Sequence, residues 1–440
     1  MSAVQPTDAV EASLAAIAAD ASSGVWISLV ERQVAIESAV AVESRIAAGE
    51  ALPLAGLTFA VKDNIDVAGL VTTAGCPAFG RVAAVDAPVV AALRAAGAIV
   101  VGKTNMDQFA TGLVGMRSPY GICPNAHWAG LVAGGSSAGS AVAVARGLVA
   151  FALGTDTAGS GRVPAACNGI VGLKPTRGRI SNSGVVPACR SLDCVSLFAC
   201  DVDLAAFTTA IAARTAPDPN DPWSREAPHS DVPRVRRIGV PLSHQLDFDG
   251  DPRGTTCFAN AVDDLAVMGV ELCPFDIAPM LEVSRLLYGG SFVAERYEAV
   301  GAFVTAHRDE VDPVVAKIIT DAAQIPAWHA FRDRTELERL RRLVDAALRG
   351  VDAVIVPSVP RVPLVSEVVA SPIAINEKLG TYTNFVNLLD LCALTVPTEL
   401  ASPDRPPFSV TLVAPAWHDA TLVTLGQLLR LDTRATHRTA

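Results

Sequence analysis

The sequence predicts an α/β fold, in which helices alternate with the strands of a mixed β-sheet. Amphipathic segments with a helical period alternate along the chain with short apolar runs of strand length. The composition, 50% hydrophobic and 18% charged, indicates a chain that buries a large core. Because no internal repeat or low-complexity tract interrupts the pattern, we expect one domain over residues 1–440.

The first hundred residues supply the clearest alternation. The periodicity predicts N-terminal helices within about residues 1–50, at 8–21 and 30–48. A β-rich run over 57–67 follows and carries a single lysine, Lys62. The next two elements are a helix over 86–97, which ends at a glycine, and a buried strand over 98–101.

Two loops of small residues lie in the middle of the chain, at 134–140 and 155–161. Each places a serine on glycine-rich backbone, Ser136 in the first loop and Ser160 in the second. The apolar run between them, 141–153, predicts a helix through the core that brings both loops to one place. A serine nucleophile beside a pocket of hydrogen-bond donors would fit this arrangement.

The C-terminal half begins with a proline-rich connection over 214–234. We expect about 215–350 to be a peripheral, mostly helical part, and the last nine residues to be frayed. The predicted strands are 237–241, 270–274, 353–357, 391–397 and 407–414, and the predicted helices are 255–268, 277–306 (interrupted at two glycines), 326–349 and 418–431.

Charge and cysteine usage exclude several classes of protein. A net charge of −10 gives no reason to expect nucleic-acid binding. The chain lacks the run of about 18 uncharged apolar residues that a membrane span needs. Nine cysteines without CxxC pairs or a Cys/His cluster indicate buried, reduced thiols and neither a metal nor another cofactor. The reduced thiols predict a cytoplasmic protein. Residues 1–20 carry three acids and no lysine or arginine, so no signal peptide is expected.

A serine nucleophile needs a base. The seven histidines lie mostly in polar segments, and no convincing GxSxG turn joins a strand to a helix, so a Ser-His-Asp triad is poorly supported. Lys62 is the alternative, because burial in a strand would favour its neutral amine, which can accept a proton. From this residue alone, a lysine that extends to the surface remains open.

Four motifs resemble the amidase signature family: Lys62, GGSSAGS at 134–140, DTAGSGRVPA at 156–165 and GLKPTRGRIS at 172–181. The resemblance is strong over about 50–200 and looser elsewhere, and Ala138 replaces a glycine that is usual in the family. It implies the amidase-signature fold, a central twisted mixed β-sheet covered by helices on both faces.

The resemblance also implies the roles of the catalytic residues. Ser160 matches the nucleophile, Ser136 the bridging serine with a cis peptide bond, and Lys62 the base that receives the proton. Ser137 and Ser140 are expected to brace the loop or cap a helix, and Asp156 to hold loop amides. Arg162 is expected to order the loop, with a substrate contact left open. Three further residues match family positions that look structural: Lys174, Arg177 and Asp193. The backbone amides that match the oxyanion hole are those of Thr157, Ala158, Gly159 and Ser160.

Substrate preference is expected from other parts of the chain. Residues 190–199 and 379–397 resemble the allophanate hydrolase branch of the family, and Tyr288 and Arg296 match its pair that binds the substrate. Eight residues is a little over two helical turns, so both side chains would lie on one side of a helix. This implies a small anionic amide, allophanate, as the substrate. The alternative is a surface pair of Arg296 with Glu295 and a tyrosine in the core.

Two other functions stay open at this point. One is another small-amide or carboxybiuret-type amidase, and the other, of a different class, is an inactive amidase-like binding scaffold. Relatives of the allophanate branch suggest a homodimer. That branch commonly carries a second, C-terminal domain, which we expect to be absent because the chain ends at Ala440.

Overall fold

The computed structural model describes residues 5–20, 24–213, 217–228, 235–402 and 405–430. Its centre is an 11-stranded sheet, beside which lies a separate two-stranded one. The strands are β1 (Trp26–Leu29), β2 (Thr58–Lys62), β3 (Val71–Thr72), β4 (Arg81–Val82), β5 (Ile99–Thr104), β6 (Phe151–Asp156), β7 (Val171–Lys174), β8 (Cys194–Ala199), β9 (Arg237–Pro241), β10 (Glu271–Phe275), β11 (Ala353–Pro357), β12 (Leu391–Glu399) and β13 (Phe408–Pro415).

The large sheet is mixed, as predicted. Its strand order is β1-β5-β2-β6-β8-β7-β12-β13-β11-β9-β10, and β3 pairs with β4 outside it. The strands β5, β2 and β6 are parallel to one another, and so are β11, β9 and β10. The strands between β6 and β11 pair antiparallel throughout.

Helices cover both faces of the large sheet. The described residues form α1 (Pro6–Ala19), α2 (Arg32–Ala47), α3 (Pro88–Ala95), α4 (Ala138–Ala145), α5 (Val163–Cys167), α6 (Val202–Ala212), α7 (Gly254–Val267), α8 (Ala278–Gly289), α9 (Ala294–Ala306), α10 (Pro313–Asp321), α11 (Ala327–Leu348), α12 (Val365–Ala370), α13 (Pro372–Leu379), α14 (Phe385–Leu388) and α15 (Asp419–Arg430).

Strand residues alternate between two apolar cores, because successive side chains of a strand point to opposite faces. Phe59 and Val61 of β2 pack on the face covered by α3, α6, α7 and α15, whereas Ala60 packs on the face that includes α4. Phe59 stacks on Phe151 of β6 with ring centroids 5.1 Å apart. Each fully buried phenylalanine contributes roughly 1.5–3 kcal/mol, so this face fixes the register of the two strands.

The register of β2 and β6 determines where the site forms. The two strands are parallel neighbours, and they end at Lys62 and Asp156. The carboxyl ends of parallel neighbours lie at the same edge of a sheet, so Lys62 and the loop after β6 are brought together there. The loop with Ser136 leads directly into α4, which packs against both strands.

One predicted element is wrong. The apolar run 141–153 is not a single helix, because α4 ends at Ala145 and β6 begins at Phe151. Gly147 adopts a φ of +67° and reverses the chain between them. An apolar run does not distinguish a buried helix from a buried strand, and the interruption at Arg146 and Gly147 was the only signal of a break.

Most other elements were predicted to within two or three residues at either end. The strands 237–241 and 353–357 are confirmed as β9 and β11, and the helix 326–349 corresponds to α11. Residues 215–350 supply α7 to α11 but also β9 and β10, which complete one edge of the sheet. The last nine residues, and residues 214–216 and 229–234 of the proline-rich connection, lie outside the described residues.

Three further observations concern the whole of the described chain. None of its described helices combines the length and apolar character needed to cross a membrane. All nine cysteines are free thiols, and eight of them are buried. Within the described ranges, no group of three or more His, Cys, Asp or Glu side chains is arranged to bind a metal ion.

Candidate active site

Lys62 is the last residue of β2, and its side chain is fully buried. Its Nζ lies 2.7 Å from Ser136 Oγ and 2.8 Å from Thr155 Oγ1. No described carboxylate forms an ion pair with Lys62. The amine is therefore surrounded by neutral hydroxyl groups at its closest contacts, and a lysine that extends to the surface is excluded.

Burial lowers the pKa of Lys62 from 10.5 to about 7, because a charged ammonium group is poorly solvated there. The carboxylates of Asp107, Asp193 and Asp156 oppose this shift, and the Arg296 guanidinium adds to it. A large fraction of Lys62 is thus neutral near pH 7. A neutral amine 2.7 Å from a hydroxyl group is placed to accept its proton.

Ser136 follows a cis peptide bond to Gly135, the geometry that the resemblance implied for the bridging serine. The Asp107 N–H donates to the Ser136 carbonyl at 3.1 Å, and the Gly135 N–H donates to the Leu113 carbonyl at 2.8 Å. The Asp107 side chain accepts from the backbone N–H groups of Gly115 and Arg117. The loop beginning at Asp107 therefore fixes the backbone around Ser136 on both sides.

Ser160 lies in the loop between β6 and α5 and is 3% exposed. Its hydroxyl makes no hydrogen bond to any described residue, including Ser136. The lysine half of the predicted proton relay is thus hydrogen-bonded in this structure, whereas the contact between the two serines is not. Catalytic hydrogen bonds of this kind often form only when a substrate is bound.

A buried ion pair between Asp156 and Arg162 stabilises the loop that contains Ser160. Arg162 donates to both carboxylate oxygens of Asp156, at 2.9 Å each, and neither side chain is exposed. Burial alone would raise the pKa of Asp156, but the charge and hydrogen bonds of Arg162 outweigh it, so that pKa lies below its usual value. Arg162 also donates to Asn387 Oδ1 and to the Thr383 carbonyl, which attaches the loop to α14.

The expected oxyanion hole needs one correction. The Gly159 N–H donates to Asp156 Oδ1 at 2.9 Å, so in this structure it is not available to a substrate. The N–H groups of Thr157, Ala158 and Ser160 make no hydrogen bond to the described part of the chain. Gly159 instead permits the turn, with a φ of +136° and no room for a Cβ atom, which would lie 2.4 Å from Thr383 Oγ1.

Tyr288 and Arg296 are in contact, but they do not lie on one helix as the spacing predicted. Tyr288 belongs to α8 and Arg296 to α9, with a break and a short 3-10 helix between them, so they do not share one helix face. Arg296 Nη2 lies 3.4 Å from Tyr288 Oη, and the guanidinium lies 5.5 Å from the centroid of the tyrosine ring. A cavity of about 430 Å³ is lined by Tyr288 together with Glu377, Thr381 and Asn384, and Arg296 is not among its lining residues.

The alternative of a surface Arg–Glu pair is wrong. Arg296 is only 2% exposed, and its guanidinium forms no ion pair with any carboxylate of the described residues. Glu295 instead accepts hydrogen bonds from the Ser191 backbone and hydroxyl. A buried arginine without a carboxylate partner is costly in the free protein and is a ready site for an anion.

Histidine chemistry has no support at this site. None of the described histidine side chains (His127, His244, His307, His329 and His418) hydrogen-bonds to a serine. His127 contacts the Asn168 carbonyl, and His307, the residue after α9, contacts the Phe303 carbonyl of that helix. His229 and His437 lie outside the described residues.

A family model described as amidase matches residues 8–423. The chain belongs to the amidase family. This amidase is 45% identical over 405 residues to a urea amidolyase of Lachancea kluyveri, in a match that covers 91% of this chain and 22% of the relative. It thus spans about a fifth of the length of that protein.

Two further comparisons concern proteins nearer in length to this amidase. A solved structure of Kluyveromyces lactis allophanate hydrolase matches with a TM-score of 0.91 and 40% identity, over 97% of this chain and 70% of that chain. A 1-carboxybiuret hydrolase subunit of Pseudomonas sp. is 33% identical over 409 residues, which is 89% of this chain and 87% of the relative.

Sequence reasoning missed several residues of the site. The Thr155 hydroxyl accepts hydrogen bonds from Lys62 and from the Asn64 amide. Asp107 braces Ser136, and Asn387 donates to the Asp156 carbonyl at 2.8 Å. Thr155 belongs to the small-residue stretch 155–161, although the structure places it at the end of β6. Asn64 lies two residues after Lys62, whereas Asp107 and Asn387 are brought in from distant parts of the chain.

Proposed function

We propose that this amidase hydrolyses allophanate, an anion with a carboxylate at one end and a terminal amide at the other. The observation that carries the proposal is the buried Arg296, which has Tyr288 beside it and no carboxylate partner among the described residues. A substrate carboxylate would supply the missing negative charge, and Arg296 would bind it through two parallel N–H groups. The Tyr288 hydroxyl would add a further hydrogen bond.

In the proposed acylation step, Ser160 Oγ attacks the terminal amide carbon of allophanate. The Ser160 proton passes to Ser136 as the Ser136 proton passes to neutral Lys62, and the same path returns a proton to the leaving nitrogen. The C–N bond breaks and ammonia leaves. The free N–H groups of Thr157, Ala158 and Ser160 would stabilise the negative charge on the substrate oxygen, each donor being worth about 3 kcal/mol of barrier.

In the second step, water attacks the acyl-serine carbonyl and Ser160 recovers its proton. The product is N-carboxycarbamate, a dianion that decomposes without further help from the protein. Deacylation uses the same base and the same oxyanion donors as acylation. A single arrangement of Lys62, Ser136 and Ser160 therefore serves both halves of the reaction.

The likeness to the Kluyveromyces lactis allophanate hydrolase supports this substrate, and so does the likeness to the urea amidolyase. A second candidate is hydrolysis of 1-carboxybiuret, which the 33% identity to a 1-carboxybiuret hydrolase subunit favours. Both substrates carry a carboxylate that suits Arg296. They differ in length, so kinetics with the two substrates separates the candidates.

The test is ammonia release by the purified chain from allophanate, 1-carboxybiuret and biuret, the last being a neutral analogue of allophanate. We expect allophanate to be the best substrate. Replacement Arg296→Gln should lower kcat/KM for allophanate about a hundredfold, because a charge-assisted contact is lost, and should change biuret turnover little. Equal losses for the anion and the neutral amide would contradict the proposed carboxylate site, and preference for 1-carboxybiuret would favour the second candidate.

We also propose a cytoplasmic homodimer that folds as one domain. The cysteine usage supports the cytoplasmic location, and the resemblance to the allophanate branch supports the homodimer. The absence of an internal repeat or low-complexity tract from the sequence supports a single domain. Light scattering of the purified chain measures the oligomeric state directly, and a mass of one protomer at micromolar concentration would contradict the dimer.

A further inference from the structure

A short segment, residues 107–111, joins the serine loop to the arginine. At one end the Asp107 N–H donates to the Ser136 carbonyl at 3.1 Å. At the other end the Ala110 carbonyl and the Thr111 hydroxyl contact Arg296 Nη1, at 3.4 Å and 3.1 Å. Five consecutive residues thus connect the proton-transfer groups with the residue proposed to bind the carboxylate.

The backbone of this segment is unusual. Phe109 and Ala110 both lie in the left-handed region, with φ of +50° and +52°, which few residues other than glycine adopt. Such strained backbone persists only where its surroundings impose it, and it concentrates at functional sites. Here the Phe109 ring packs edge-on against Phe79, and the Phe109 N–H donates to the Ala74 carbonyl.

The turn of the backbone directs the Thr111 hydroxyl. Thr111 is fully buried, and its hydroxyl proton is donated to the Phe109 carbonyl at 3.2 Å. The oxygen lone pairs are therefore left for Arg296 Nη1. This 3.1 Å contact is the shortest that the guanidinium makes with the described residues, since those to Ala110 and Tyr288 are both 3.4 Å.

We propose that Thr111 is a positioning residue that orients Arg296 and so sets the affinity for the substrate carboxylate. The inference rests on the proposed role of Arg296. A guanidinium on a long flexible side chain loses conformational entropy when it binds an anion, and a hydroxyl that fixes it beforehand reduces that loss. Neutral Thr111 does this without supplying a carboxylate that would compete with the substrate.

The test replaces Thr111 by valine, which has the same shape and no hydroxyl, and by serine, which keeps the hydroxyl. For Thr111→Val we expect KM for allophanate and the inhibition constant of malonate, a dianion of similar size, to rise about tenfold. We expect kcat and its pH profile to stay within a factor of three. Thr111→Ser should recover most of the affinity, and Thr320→Val on α10, a matched change outside the site, should have no effect.

A double-mutant cycle separates this proposal from the role of Arg296 itself. If Thr111 acts through Arg296, Thr111→Val should have no further effect on KM in an Arg296→Gln background. A tenfold loss in both backgrounds would overturn the proposal, and so would equal losses for Thr111→Ser and Thr111→Val. If Arg296→Gln itself leaves KM unchanged, the proposed carboxylate site fails. Should Thr111→Val not fold, Thr111→Ala and Thr111→Ser supply the same comparison.

Discussion

Lys62 Nζ lies 2.7 Å from Ser136 Oγ, and both side chains are fully buried. The distance allows direct proton transfer, and the burial produces the neutral amine that makes the transfer possible. The same burial lowers the free energy of unfolding, because Lys62 can be protonated freely in water only in the unfolded chain. Replacement of Lys62 by an apolar residue is therefore expected to lower activity and to raise stability.

The first prediction concerns the acid limb of the pH profile. Protonated Lys62 cannot accept a proton, so kcat/KM for allophanate should fall about tenfold per pH unit below a pKa of about 7. Asp107→Asn removes the carboxylate that does most to raise this pKa, and should move the limb to lower pH. Asp345→Asn on α11 is the control. A limb that moves upward in Asp107→Asn would contradict the assignment.

The second prediction is that Lys62→Met abolishes turnover but stabilises the fold. The pKa is 10.5 in the unfolded chain and about 7 in the folded protein, so the unfolded state binds the extra proton between these values. The loss of unfolding free energy caused by burying Lys62 is complete below pH 7 and disappears above pH 10.5. In urea titrations, the variant's gain in unfolding free energy should shrink by about 2–3 kcal/mol from pH 7 to 9.5. A constant gain would mean that Lys62 is not perturbed.

The third prediction separates the roles of three of the four serines in the two loops. Ser160→Ala and Ser136→Ala should each lower kcat at least about a thousandfold, since one removes the nucleophile and the other the proton path. Ser140→Ala should keep most of the activity, because the Ser140 hydroxyl bonds only to Thr104 and the Leu153 carbonyl. Loss of these hydrogen bonds should lower the free energy of unfolding by about 1 kcal/mol. Ammonia release and thermal unfolding measure both effects. Substantial activity in Ser160→Ala would place the nucleophile elsewhere.

The fourth prediction concerns the buried Asp156–Arg162 ion pair of the loop that contains Ser160. Arg162→Met leaves the Asp156 carboxylate buried without its cation, so we expect a loss of about 3–5 kcal/mol of unfolding free energy and of nearly all activity. Arg339→Met removes an exposed pair with Glu336 and should change stability by less than about 1 kcal/mol. Chemical denaturation compares the two. Similar small losses would show that the buried pair does not stabilise the loop.

The fifth prediction tests the turn at Gly159. Gly159→Ala places a Cβ atom 2.4 Å from Thr383 Oγ1 at a φ of +136°, so the loop must shift and the oxyanion donors with it. Loss of one such donor lowers kcat about a hundredfold or more. Gly49→Ala, at a φ of +89° with open space around it, gives the cost of the backbone strain alone. If both variants keep full kcat, the geometry of this loop does not limit the reaction.

Much of the fold could be predicted because its elements carry local signals. The strands β9 and β11 are short apolar runs between breaks, and α11 is a long charged amphipathic helix. The prediction for the run 141–153 was wrong because the parts of α4 and β6 within it are almost entirely buried, so neither has a polar face that reveals its period. The strands β7 and β8 were not predicted. β7 lies in a glycine-rich stretch, and both strands are fixed by their neighbours in the sheet.

The candidate site was predicted unevenly. The roles of Lys62, Ser136 and Ser160 came from a resemblance, and the structure adds the Lys62–Ser136 contact, which no local pattern shows. Gly159 was expected to donate to the substrate, but its N–H is used by Asp156 within the loop. Tyr288 and Arg296 meet although the helical spacing argument for them was wrong. Thr111 left no signal at all, because its contact with Arg296 spans 185 residues.

The Thr111–Arg296 contact joins two parts of the chain that can diverge at different rates. The groups that move protons all precede residue 161, whereas the arginine that selects an anion belongs to α9. During evolution, a lineage can change α8 and α9 to accept a new amide while it retains the older machinery. The proposed role of Thr111 depends on Arg296, so we expect positions 111 and 296 to vary together across the family.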